Sequence, residues 1–321
     1  MEQKVSKIPS NFHLYPNPPY NFAWSAMFFG HFKNDVVDVW ILPTFNSNGS
    51  YYRVFEVGKN LCLVRVTQEG EVNKPRLSTQ VLKGNADRQL YNIIARIFRV
   101  NDDINGFYHI AGEDPVMSRL IKRFYGLKPT QTPTVFEMII IAISEQQLSL
   151  PVAVTLRSRL AQRFGKSIEY QGKTFYSFPS AEILANADVD DLCSLSFPRR
   201  KAGSIINVAR IVANEQVDFE SLHSMSNEDI KEYLIKIPGL GSWSAEYILA
   251  RGLGRLDIYP RNDLSVKRAV GYFYNNGNTL SSSEVEKILS RWHPFQRYAE
   301  YYILVAYEMR NYQATINIES F

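Results

Sequence analysis

The sequence predicts an α+β chain, with an antiparallel β-rich segment over residues 1–105 and a mainly helical region over 106–321. Three observations carry this. Short β-branched and aromatic runs, separated by turn residues, recur within the first hundred positions. From Leu90 onward the apolar residues recur at helical spacing behind capping side chains. Pro238-Gly239-Leu240-Gly241 then parts two of those helical runs with a turn too short for anything but a hairpin.

In order, strands are expected at Val36–Leu42, Tyr51–Phe55 and Leu61–Val66, joined through Asn-Gly, Gly-Lys-Asn and Glu-Gly turns. After Val100, Asp102 or Asp103 can cap the next helix, and Glu113-Asp114-Pro115 opens another that runs to Gly126. Thr134 with Glu137 reads as a capping box, and Phe136, Ile139, Ile140 and Ile143 supply a buried face. That helix ends in polar residues, Ser144 to Ser149. Helices follow from Val152 to Phe164, from Ala181, and from Pro198 to Ile211. Ser226 and Asp229 start the first helix of the hairpin, whose inner face is Ile230, Tyr233, Leu234 and Ile237. The second carries Trp243 and Tyr247 one turn apart. A loop delivers Asp263 ahead of a helix over Leu264–Tyr274. Ser283–Leu289 and a last helix to about Arg310 complete the chain.

A length of 321 residues suggests about two domains, and 45% hydrophobic with 21% charged residues exclude a disordered or fibrous chain. No apolar run reaches membrane-spanning length and no signal-peptide pattern opens the sequence, so a cytoplasmic monomer without membrane partners is expected. Cys62 and Cys193 are too few for a four-thiolate zinc or iron–sulfur site, and buried free thiols are expected. The net charge of +4 is modest. Its placement says more: Arg199, Arg200 and Lys201 adjoin, and Arg251, Arg255, Arg261, Lys267 and Arg268 surround the hairpin. Such a surface suits a polyanion, although a solvated helix face would look the same.

A Gly-x-Gly turn between two helices points free amides outward at Gly239, Gly241 and Ser242, and the second helix adds its positive end. Each such contact is worth about 0.3–1 kcal/mol, enough to hold a phosphate but not to read a base.

The string Ile237-Pro-Gly-Leu-Gly-Ser-Trp-Ser-Ala-Glu-Tyr247, with Asp263 and Lys267 after it, resembles the helix-hairpin-helix signature of the DNA glycosylase superfamily, in particular its AlkA-type 3-methyladenine enzymes. Pro18–Trp24 leading into Met27-Phe28-Phe29, and Trp292–Phe295 with Tyr298-Ala299, resemble that family's opening and closing segments. The resemblance implies a hairpin lobe over 196–290, with 106–195 and about 290–321 forming the other lobe. It also implies a partner, double-stranded DNA containing damaged bases, and no cofactor. Asp263 becomes the catalytic carboxylate, chosen over Asp257 because four residues separate it from Lys267. Trp243, Tyr247 and Phe28 would line the base pocket, and electron-rich rings suit a cationic base. Gln147 would wedge into the duplex where a base has left. The carbonyls of Ile235, Ile237 and Gly239 match positions that hold a sodium or potassium ion against phosphate. Strand-cleaving relatives carry a lysine where Trp243 stands, so a monofunctional hydrolase is implied. Leu264 and Leu304 replace aromatic pocket residues of bacterial AlkA. Two other readings remain open on the sequence: a non-catalytic helix-hairpin-helix DNA-binding protein, and a glycosylase for oxidised or deaminated purines.

Overall fold

A computed structural model describes residues 9–27, 34–41, 49–58 and 60–310. Five strands, β1 (Asn11–Leu14), β2 (Val39–Ile41), β3 (Ser50–Val57), β4 (Asn60–Gln68) and β5 (Leu77–Lys83), pair antiparallel in the order β1-β5-β4-β3-β2. Side-chain alternation gives the sheet two apolar faces. Tyr51, Phe55, Cys62, Val64 and Val66 pack beneath α1 (Phe22–Met27) and α2 (Arg88–Ile97). Val54 and Leu63 face the other way, onto Phe175. That phenylalanine belongs to a hairpin that sequence reading missed, β6 (Ser167–Tyr170) and β7 (Lys173–Tyr176). Its turn puts Gln171 and Gly172 at φ +49° and +74°, the left-handed pair that a two-residue hairpin requires.

Two sequence expectations are corrected here. Val36–Asp38 is a bend rather than strand, because Asp35 Oδ1 accepts the amides of Val37 and Asp38 at 3.0 and 3.2 Å. Glu137 does not close a capping box. Thr134 Oγ1 takes the Glu137 amide at 3.0 Å, but the Glu137 carboxylate turns inward to Arg53.

The helices are α3 (Asn105–Ala111), α4 (Pro115–Arg123), α5 (Val135–Glu145), α6 (Leu150–Phe164), α7 (Ala181–Ala185), α8 (Val189–Ser194), α9 (Arg199–Ala213), α10 (Asn227–Ile235), α11 (Ser242–Arg251), α12 (Leu264–Tyr274), α13 (Ser282–Leu289) and α14 (Gln296–Met309). Asp103 supplies the bond to the Asn105 amide at the start of α3, while Asp102 is held by Arg99. Around α5, buried from Val135 to Ser144 except at Phe136, gather α6, α9, α10 and α11, with Ile139, Ile205, Leu234 and Ile248 in one core. Phe107, Leu120, Val270, Trp292 and Tyr302 form a second core among α3, α4, α12 and α14. A helix apolar on all sides can only be central. Buried ion pairs tie β3 to α5, through Arg53 and Glu137 at 2.6 Å, and the bend before β2 to α6, through Asp35 and Arg157, while Arg53 also holds Asp38 of that bend at 2.6 Å. Among the described residues no helix is long and apolar enough to cross a membrane.

Candidate active site

The hairpin begins where Ser226 Oγ accepts the Asp229 amide and starts α10. Ile230 and Leu234 bury that helix against α11, and Pro238 stops its continuation. The two glycines of the turn serve different ends. Gly239 sits at φ +97°, and a Cβ there would lie 2.3 Å from Ser204 Oγ on α9. Gly241 is extended at φ −121°, caps α11, and a Cβ there would meet nothing. Gly239 is therefore required by the fold, whereas Gly241 leaves open room for a ligand to approach the amides at the head of α11.

The C-terminal end of α5 is fastened to this turn. Gln146 Nε2 donates to the Gly239 carbonyl at 2.8 Å and to Ser244 Oγ at 2.9 Å. Lys201 Nζ donates to the carbonyls of Ser144 and Gln146, at 2.9 and 2.5 Å. Burial lowers the Lys201 ammonium pKa, partly countered by the Glu145 charge. The next residue, Gln147, is exposed and stands at φ +55°, a backbone state uncommon outside glycine.

Asp263 caps α12, its Oδ1 accepting the amides of Ser265 at 2.7 Å and Val266 at 3.4 Å. Its Oδ2 accepts the Trp243 indole N–H at 2.8 Å. Both carboxylate oxygens are thus held, one by each helical core. Trp243 belongs to α11 and Asp263 to the head of α12, so the bond crosses the seam between them. Asp257, its competitor in sequence, is occupied by Asn227 Nδ2 at 2.9 Å.

Behind the carboxylate lies a set of buried charges that sequence reading missed. Glu300 is 1% exposed and pairs with Arg297. Burial pushes its carboxyl pKa up, Arg297 opposes that, and the Asp263 charge adds to the rise. The i, i+3 spacing of Arg297 and Glu300 among the apolar and aromatic residues of the last helix is the signal that could have found them. Arg251 donates to the Tyr247 hydroxyl at 2.6 Å, with its guanidinium 5.4 Å from the ring centre.

That last contact qualifies two expectations. Tyr247 lies 5.1 Å from Trp243, ring centre to ring centre, so the pair is formed, but a cation already sits over Tyr247. The basic surface around the hairpin is also thinner than the sequence implied. Arg251 is turned inward, Arg255 holds the carbonyls of His223 and Met225, and Arg261 pairs with Glu246 and Glu286. Arg199 is exposed but paired with Asp190, and Arg200 is exposed at the head of α9. Leu264 is 52% exposed, and Leu304 packs into the second helical core. Phe28 lies outside the described residues. Of the three carbonyls expected to hold a cation, Ile237 and Gly239 already accept the Leu240 amide and Gln146 Nε2, which leaves each one lone pair.

A helix-hairpin-helix turn facing a helix-capping aspartate across two helical cores is an arrangement with known counterparts. Residues 140–294 match the family model described as HhH-GPD superfamily base excision DNA repair protein. Residues 140–294 belong to the helix-hairpin-helix DNA glycosylase superfamily. A curated Bacillus subtilis relative, DNA-3-methyladenine glycosylase, is 28% identical over 262 residues, covering 80% of this chain and 86% of that one. The solved 3-methyladenine DNA glycosylase of Archaeoglobus fulgidus superposes with a TM-score of 0.78 at 26% identity, covering 92% of this chain and 97% of that one. The Clostridium acetobutylicum 8-oxoguanine glycosylase/lyase bound to DNA shares the fold alone, with a TM-score of 0.69 at 19% identity and coverage of 87% and 90%.

Proposed function

We propose that this protein is a monofunctional DNA glycosylase that releases alkylated bases of the 3-methyladenine type from duplex DNA by hydrolysis. The observation that carries the reading is Asp263, whose two oxygens are fixed by the α12 amides and by Trp243. The names of the relatives with which the chain aligns over most of its length support the substrate class.

Cleaving an N-glycosidic bond develops positive charge on the sugar, and a carboxylate already fixed beside the anomeric carbon opposes that charge without reorganising. Asp263 can also orient the attacking water. A ring-methylated base is cationic and leaves readily, so the larger task is extrusion. That costs a few kcal/mol, and stacking on Trp243 returns about 1–3 kcal/mol. Gln147 fills the gap left in the duplex, and its amide bonds the widowed base. The amides at Gly241 and Ser242 grip a phosphate, with Arg200 beside them. A monovalent ion on the Ile235, Ile237 and Gly239 carbonyls would add positive charge at that grip. With tryptophan at the position where strand-cleaving members carry lysine, no side chain there forms a Schiff base, and the product is an abasic site.

Asp263→Asn tests this. Base release from methylated duplex is expected to vanish while duplex binding persists, and borohydride is expected to trap no protein–DNA adduct. Wild-type protein that binds but releases no base from any damaged duplex would leave only a binding role.

A further inference from the structure

α5 runs straight into a β-turn. Gln146 stands at φ −51°, ψ 127° and Gln147 at φ +55°, and the Leu148 amide donates back to the Glu145 carbonyl at 3.2 Å. These angles and this bond are those of a type II turn, whose third position ordinarily takes glycine or asparagine. A less strained form is open to glutamine. Rotating the peptide plane between Gln146 and Gln147 gives a type I turn, with φ about −90° at Gln147 and its side chain aimed elsewhere.

The Gln146 carbonyl and the Gln147 amide share that one planar unit, so a partner that holds the carbonyl fixes the turn type. Lys201 Nζ holds it, together with the Ser144 carbonyl. One turn along the same face of α9, Ser204 lies against Gly239, so the ammonium is carried by a helix that also packs on the hairpin. The side chain of Gln146 is fixed to that hairpin in turn, at the Gly239 carbonyl and Ser244 Oγ. A lysine near a helix C-terminus commonly does no more than satisfy the last carbonyls. Here one of the two carbonyls lies past Glu145, the last residue of α5, in the peptide that sets the backbone of exposed Gln147.

We propose that Lys201 is a positioning residue for base extrusion: by holding the Gln146 carbonyl it selects the type II turn and aims Gln147 at the duplex. This rests on the glycosylase reading and on the wedge role of Gln147 within it. Facing the protein's own carbonyls, the ammonium adds no phosphate contact.

Single-turnover base release by Lys201→Met tests it, on a methylated purine either paired or set opposite an abasic-site analogue, where no pair has to be broken. The rate on the paired lesion is expected to fall at least about tenfold, and that on the unpaired lesion at most about threefold. Both rates are taken on one preparation, so a lowered folded fraction leaves their ratio unchanged. Gln147→Ala should show the same asymmetry, and Lys201→Met should cause no further loss in that background. The salt dependence of duplex binding should match wild type. Equal losses, or none, on the two lesions, a loss that persists in the Gln147→Ala background, or a salt slope reduced by about one phosphate contact would overturn the role of Lys201 alone. A wild-type rate in Gln147→Ala would overturn it together with the wedge, and a wild-type protein that releases no base would overturn it together with the glycosylase reading.

Discussion

Trp243→Phe separates two roles that one side chain combines. Phenylalanine keeps an aromatic face beside Tyr247, 5.1 Å away in the wild type, but removes the indole N–H that holds Asp263 Oδ2 at 2.8 Å. A hydrogen bond to a charged group contributes about 1.5–3 kcal/mol. If that energy fixes the carboxylate for the transition state, the single-turnover rate of base release falls by about 10- to 150-fold, at about 1.4 kcal/mol per decade. Affinity for the same duplex, followed by fluorescence anisotropy, should stay within about twofold because the hairpin amides are untouched. Asp263 would remain attached to the α12 amides, so the loss should be smaller than for Asp263→Asn. A rate within twofold of wild type, or a loss confined to binding, would refute the idea that Trp243 positions the carboxylate.

Three further outcomes are expected. Gly239→Ala meets Ser204 and a left-handed backbone, and should lower stability in urea by at least about 1–2 kcal/mol; Gly241→Ala should melt as wild type yet weaken duplex binding. Arg53→Met strands the Asp38 and Glu137 carboxylates inside the protein and should lose about 3–5 kcal/mol in the same measurement. Burial would raise the Glu220 carboxyl, but His223, the Val135 amide and Arg96 outweigh it and hold the pKa at about 2, against 4.5 for the free side chain. A lowered folded-state value means its stabilisation is complete above pH 4.5 and is lost as pH falls toward 2, so Glu220→Gln should flatten the acid limb of a stability–pH curve across that window.

The hairpin and the aspartate were legible because local rules specify them. Pro238 and the glycines end one helix, and a residue before Leu264 has to cap another. What escaped was set by distant partners. Glu137 has the spacing of a capping box, yet Arg53, on a strand 84 positions earlier, captures it. Asp35 and Asp38 interrupt an apparent strand because both are drawn into ion pairs. Arg251, Arg255 and Arg261 look like surface charge in sequence and instead hold carbonyls, a phenol and carboxylates. The β6–β7 hairpin lacks a long apolar run, since only Phe175 in it is fully buried, and its Gln-Gly turn was the one available sign.

The bonds from Gln146 to Gly239 and Ser244, with Lys201 bracing the same loop, couple the hairpin turn to Gln147, the residue at φ +55°. They make a calliper of fixed span. Under the proposed function, the hairpin turn and Gln147 would therefore meet the duplex at a spacing already set in the folded protein.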